Sequence, residues 1–161
     1  AQDAGIHPNV FHFTCLLRIT GTPTKKILAR MEKHNVQGNH WSWNAALTGC
    51  RAQEVWEIFQ RVPWPDRFAI ATLLKKCQPE DVPRALSAAE AHGVTHDRAT
   101  LNAAATASPA KFVEILKRIP VEPDVSFFNI VLNKAVDLEN ADTARAAFSE
   151  LKRRGLGPDS F

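Results

Sequence analysis

The chain has 161 residues, 45% hydrophobic and 23% charged, which is enough apolar content to bury a core and too much for disorder by composition. Its net charge of +3 and pI near 8.9 permit a nucleic-acid partner without demanding one. No apolar run approaches the roughly 18 residues of a membrane span. Cys15, Cys50 and Cys77 lack any C-x-x-C spacing, and Cys15 and Cys77 sit among helical apolar positions, as expected of structural thiols in a reduced compartment.

Along the chain the same punctuation returns six times, at Gly5-Ile6-His7-Pro8-Asn9, Asn35-Val36-Gln37-Gly38-Asn39, Pro63-Trp64-Pro65-Asp66, Gly93-Val94-Thr95-His96-Asp97, Pro120-Val121-Glu122-Pro123-Asp124 and Gly155-Leu156-Gly157-Pro158-Asp159. At Gly5, Asn35, Gly93 and Gly155 a residue tolerant of left-handed backbone precedes an apolar one, which marks a helix C-terminus. A recurrence of this kind predicts a tandem array. Residues 1–9 read as the tail of one unit rather than a signal or transit peptide, so any targeting segment would lie upstream.

Units then follow at 10–39, 40–66, 67–97, 98–124 and 125–159, with 160–161 opening another, and each parses as two helices. In the first, Thr22-Pro23 supplies a cap hydroxyl and a proline for the second helix, whose buried stripe is Ile27, Leu28 and Met31. The second unit carries Val55, Ile58, Phe59 and Val62 at the i, i+3, i+4, i+7 spacing of one buried face. In the third, a helix beginning near Pro79 to Glu80 tolerates Pro83 in its first turn and buries Ala85, Leu86 and Ala89. The fourth has the cap pair Ser108-Pro109 and the stripe Phe112, Ile115, Leu116 and Ile119; the fifth has Ala144, Ala147, Phe148 and Leu151. The two shortest units lose residues around the first helix and after the stripe, about one turn at each place.

The unit from Pro123 to Pro158, headed by Pro-Asp-Val-Ser-Phe-Phe-Asn and closed by Phe-Ser-Glu-Leu-Lys-Arg-Arg-Gly-Leu-Gly-Pro-Asp, resembles the pentatricopeptide repeat. The first unit matches well and the second to fourth are degraded. The resemblance implies an all-α fold, a right-handed α-solenoid of about five helix-turn-helix repeats, binding single-stranded RNA at one base per repeat. It assigns base reading to the fifth residue of each unit, here Thr14, Asn44, Ala71, Asn102 and Asn129, jointly with the last residue, here Asn39, Asp66, Asp97, Asp124 and Asp159. Ala71 departs from the pattern because a methyl group makes no hydrogen bond. The implied site is 5′-A-U-x-U-U-3′. Bases would be sandwiched by second-position side chains, here Phe11, Trp41, Phe68, Ala99 and Ser126, of which only the aromatic three can grip.

Each assignment has a structural counterpart. Phe11, Trp41 and Phe68 can pack on a neighbouring unit, and Asp or Asn before a helix can cap it. Arg18, Lys75, Lys76 and Lys134 can meet phosphates or form a solvated face. His92 and His96 have i, i+4 spacing, but Gly93 ends the helix between them, so no shared metal face is expected. No His-x-Glu with a later Cys-x-x-Cys, no phosphate loop and no Gly-rich dinucleotide turn occurs. The expectation is a protein without catalysis, cofactor, metal, membrane contact or small-molecule substrate. Two functions follow from the resemblance: an RNA reader in organellar RNA processing, stability or translation, soluble in a mitochondrion or chloroplast, or a scaffold subunit holding proteins or rRNA in an organellar assembly such as a ribosome.

Overall fold

A computed structural model describes residues 7–19 and 23–157. Among them are ten α-helices, three short 3-10 turns and no strand, so the described protein is all-α. The chain folds as two compact units, residues 1–64 and 65–161. In the first are α1 (Val10–Arg18), α2 (Thr24–Lys33), α3 (His40–Gly49) and α4 (Val55–Gln60). In the second are α5 (Arg67–Lys76), α6 (Val82–Ala91), α7 (Arg98–Ala107), α8 (Phe112–Arg118), α9 (Val125–Asp137) and α10 (Ala141–Arg153).

Sequence-adjacent helices pair: α1 with α2, α3 with α4, α5 with α6, α7 with α8, and α9 with α10. The leading helix of each pair starts at a residue where the sequence places a unit start. Leading helices also pack side by side, α1 on α3 in the first unit, and α5 on α7 and α7 on α9 in the second. Gly49 permits the first of these contacts, because a Cβ there would lie 2.8 Å from the Leu17 carbonyl oxygen. Trailing helices bury the expected stripes, including Ile27, Leu28 and Met31 on α2 and Val55, Ile58 and Phe59 on α4.

Helix ends follow the punctuation. Asn35 (φ 54°), Gly93 (φ 66°) and Gly155 (φ 68°) take left-handed backbone, and the next residue's N–H reaches back to Met31, Ala89 and Leu151 respectively. Gly5 lies outside the described residues. Glu139 (φ 52°) does the same between α9 and α10, unannounced by any Gly or Asn. The short units are shorter in their trailing helices; their leading helices are no shorter than α1 and α5, which have 9 and 10 residues in longer units. Leading helices α3 and α7 have 10 residues against 13 in α9, and α4 and α8 have 6 and 7 against 13 in α10.

Four details differ from the sequence reading. Ser108 makes no side-chain cap hydrogen bond; Pro109 instead opens a 3-10 turn (Pro109–Lys111) ahead of α8. Pro23 stands one place earlier than expected, at the cap position of α2, and Thr22 lies outside the described residues. Phe148 is 40% exposed, with the Lys152 ammonium 4.5 Å from its ring centroid, so the last stripe buries only Ala147 and Leu151 fully. Cys15 is exposed, whereas Cys50 and Cys77 are buried; burial pushes the Cys77 thiol up to about 11, as suits an inert thiol.

Ion pairs tie successive trailing helices together. Lys25 on α2 meets Glu57 on α4 at 2.6 Å, and Glu32 on α2 meets Arg61 just after α4. On α8, Arg118 binds both carboxylate oxygens of Glu90 at 2.9 and 3.0 Å, donates to Ser87 Oγ at 2.6 Å and reaches the Pro83 carbonyl at 2.9 Å. A guanidinium with four acceptors on one helix acts as a staple rather than a loose surface pair. It also holds the Glu90 carboxyl below its ordinary 4.5, so the pair contributes fully above that pH and is lost as pH falls through the lowered value. Replacing Arg118 with alanine is therefore expected to cost about 1–2 kcal/mol in urea unfolding near neutrality, with the deficit shrinking in acid. Arg145→Ala, which breaks an exposed i, i+3 pair with Asp142 and a long, exposed hydrogen bond to the Ala141 carbonyl at 3.4 Å, should cost under about 0.5 kcal/mol. Equal small losses in the two variants would mean that solvent screens the Arg118 network as well.

Candidate nucleic-acid interface

Each leading helix begins on a short polar side chain in extended backbone. Asn9, Asn39, Asp66, Asp97 and Asp124 have φ between −99° and −119°, which aims the side chain back over the first turn. Oδ1 of Asn39 accepts the Ser42 N–H at 2.9 Å, that of Asp66 the Ala69 N–H at 2.8 Å, that of Asp97 the Thr100 N–H at 2.8 Å, and that of Asp124 the Phe127 N–H at 2.9 Å. Asn9 accepts from Phe11 and His12, and its own N–H donates to His12 Nδ1 at 3.2 Å. These residues are helix caps, and capping consumes one oxygen of each. Asp159 lies outside the described residues.

In the second unit the other carboxylate oxygen is engaged too. Arg98, the first residue of α7, donates to Asp124 Oδ2 at 2.6 Å, and Arg67, the first residue of α5, lies 4.0 Å from Asp97 Oδ2. Hydrogen bonds from Thr100, led by its backbone N–H, hold the Asp97 carboxyl below its ordinary 3.8.

The fifth-position residues occupy the second turn of their helices. Thr14 Oγ1 donates to the Val10 carbonyl at 2.7 Å, and Asn44 Nδ2 lies 3.0 Å from His40 Nε2. Asn102 Oδ1 is a buried acceptor without a hydrogen-bond partner, and Asn129 is half-buried on α9. Ala71 is half-buried and brings no polar atom. Thr14 and Asn44 thus lie on packed neighbours α1 and α3, and Asn102 and Asn129 on packed neighbours α7 and α9.

Second-position aromatics stand clear of the core: Phe11 is 70% exposed, Trp41 73% and Phe68 50%. Packing on a neighbouring unit would have buried them. Ala99 and Ser126 are exposed and small. Among the proposed phosphate contacts, Arg18 and Lys75 are exposed and Lys76 is half-buried. Lys134 pairs with Asp137 at 2.9 Å, so its charge is already partly answered.

Two features have no signal in the sequence pattern. The arginines that begin α5 and α7 reach the cap of the next leading helix, a spacing no local motif encodes. Within residues 1–64 a cleft of about 580 Å³ opens between Leu28, Met31, Val36, Trp43, Pro63 and the exposed Trp64, with the Arg61–Glu32 pair on its wall. His96 buries its ring with Nε2 3.7 Å from Glu90, and His92 ends α6. Among the described residues no group of three or more His, Cys, Asp and Glu could hold a metal ion, and no helix is long and apolar enough to cross a membrane.

No protein-family model matches the chain, and no curated protein is detectably similar to it.

Removing a cap oxygen tests the first of these assignments. Asp97→Ala should lower stability by about 1 kcal/mol and Asp97→Asn by less, because an amide oxygen still accepts from Thr100. The lowered carboxyl adds an acid dependence: its stabilisation is present above 3.8 and is lost as pH falls through the depressed value. Urea unfolding of the alanine variant at neutral pH without any loss would contradict the cap.

Proposed function

We propose that the chain is a pentatricopeptide-type array whose helix pairs stack as a right-handed α-solenoid and bind single-stranded RNA along the leading helices, one base per pair. The observation that carries this reading is the exposure of Phe11, Trp41 and Phe68. Each sits one residue inside a capped leading helix, while the aromatic residues recruited to the core, such as Phe13, Phe112 and Phe127, are buried. Exposed aromatic rings recurring in register cost hydration free energy and suit the faces of unstacked bases. Thr14, Asn44 and Asn129 bring donors and acceptors to the neighbouring turn for the base edges, whereas Asn102 holds the same register with its Oδ1 buried. Capping takes Oδ1 of the unit-end residues, so reading relies on their second atom. The target class is an A-U-x-U-U-like segment, and the setting suggested by the family resemblance is organellar RNA processing, stability or translation.

One observation favours a second reading for residues 98–159. An aspartate whose Oδ1 caps a helix and whose Oδ2 takes a guanidinium, as Asp124 does, has little left for a base. That part of the array would then serve as scaffold in an organellar assembly such as a ribosome, holding protein or rRNA without reading it.

Titration of short oligonucleotides separates the two. The reader predicts tighter binding of A-U-x-U-U than of a scrambled sequence, and loss of that preference in the Asn44→Ala, Asn129→Ala double variant. Trp41→Ala alone should weaken binding roughly 5- to 140-fold, the equivalent of one stacked base. Equal affinity for every sequence, abolished by salt, would leave only the scaffold.

A further inference from the structure

The net charge of the chain is carried by one of its units. Residues 1–64 hold seven Lys and Arg against four Asp and Glu, while residues 65–161 hold thirteen of each. Within the basic unit the excess concentrates on α2. Its inward face buries Ile27, Leu28 and Met31. Its flank toward α4 is neutralised, since Lys25 pairs with Glu57 and Glu32 with Arg61. Three cations remain on the outward face, Lys26, Arg30 and Lys33, at i, i+4 and i+7. All three are exposed, and none has an ion pair or side-chain hydrogen bond among the described residues. They lie about 6 Å and then about 4.5 Å apart along the helix axis, a single-sign row of three charges.

We infer that the outward face of α2 is a second RNA site, one that takes backbone phosphates without regard to sequence. Evenly repeated phosphates match a straight row of unpaired cations. A membrane surface fits less well, because an interfacial helix needs large apolar side chains beside its charges and α2 exposes only Ala29 between them. This surface lies on a trailing helix, so it holds RNA that the leading helices do not read, and it stands whether or not they read bases.

A short RNA duplex is the probe, because its stacked, paired bases cannot enter a surface built for splayed ones. Binding to the full chain is measured by fluorescence anisotropy over a series of salt concentrations beginning at about 50 mM. The expected result is measurable binding whose slope of log K against log salt falls in magnitude by about 2 to 3 in the Lys26→Ala, Arg30→Ala, Lys33→Ala variant. Lys26→Arg with Lys33→Arg should retain the slope, and unchanged helical circular dichroism would show that each variant folds. Arg145→Ala, Lys152→Ala, Arg153→Ala on α10 removes the same formal charge from the neutral unit and should change the slope less. No duplex binding at low salt, an unchanged slope in the α2 variant, or an equal change in the α10 variant would overturn the inference. So would vesicles of anionic phospholipid binding as tightly as the duplex.

Discussion

A side-chain oxygen accepting the third backbone N–H of its helix fixes where every leading helix begins. The first N–H groups of a helix have no partner within it, and burying or misdirecting them costs more than most surface contacts return. At positions 9, 39, 66, 97 and 124 a short amide or carboxylate in extended backbone answers that need. Longer side chains could not fold back so tightly, and Ala would leave the donors open. Once the cap is set, the helix rotation is set as well, so the second residue points outward and the third or fourth points into the core. Phe11 and Phe13 show the outcome within one turn, the first exposed and the second buried.

The same cap limits what its residue can do for a ligand. An aspartate has two oxygens, and in the second unit both are spent on the protein for Asp124, with Asp97 close to the same state. Stability and recognition therefore compete for the same atoms. Competition is weaker toward the N-terminus, where exposed aromatic rings and excess positive charge both occur.

Much of this architecture was legible before the structure. Asp or Asn followed by an apolar-aromatic run gave the helix starts, and Asn35, Gly93 and Gly155 gave three ends, because both signals depend on a few adjacent residues. The trailing stripes were legible for the same reason. What escaped were relations between residues about 30 positions apart: Lys25 with Glu57, Glu90 with Arg118, and Arg98 with Asp124. A charge carries no local sign of its partner, and each of these residues reads as solvated surface. Glu139 escaped because tertiary packing of α9 on α10 imposes a backbone that its side chain does not favour. Phe148 was misplaced because its spacing fits a buried stripe although its ring lies beneath Lys152. Of the candidate site, the aromatic positions were placed by register, but their exposure could not be, since burial depends on what lies opposite.

Photo-crosslinking tests the central claim most directly. A single-stranded RNA carrying a photoreactive uracil analogue would be bound to the full chain, irradiated, and the modified residues mapped by mass spectrometry. If the capped leading helices offer their aromatic side chains to bases, adducts will fall on Phe11, Trp41 and Phe68. Adducts confined to the trailing helices, with those three residues untouched, would contradict the account.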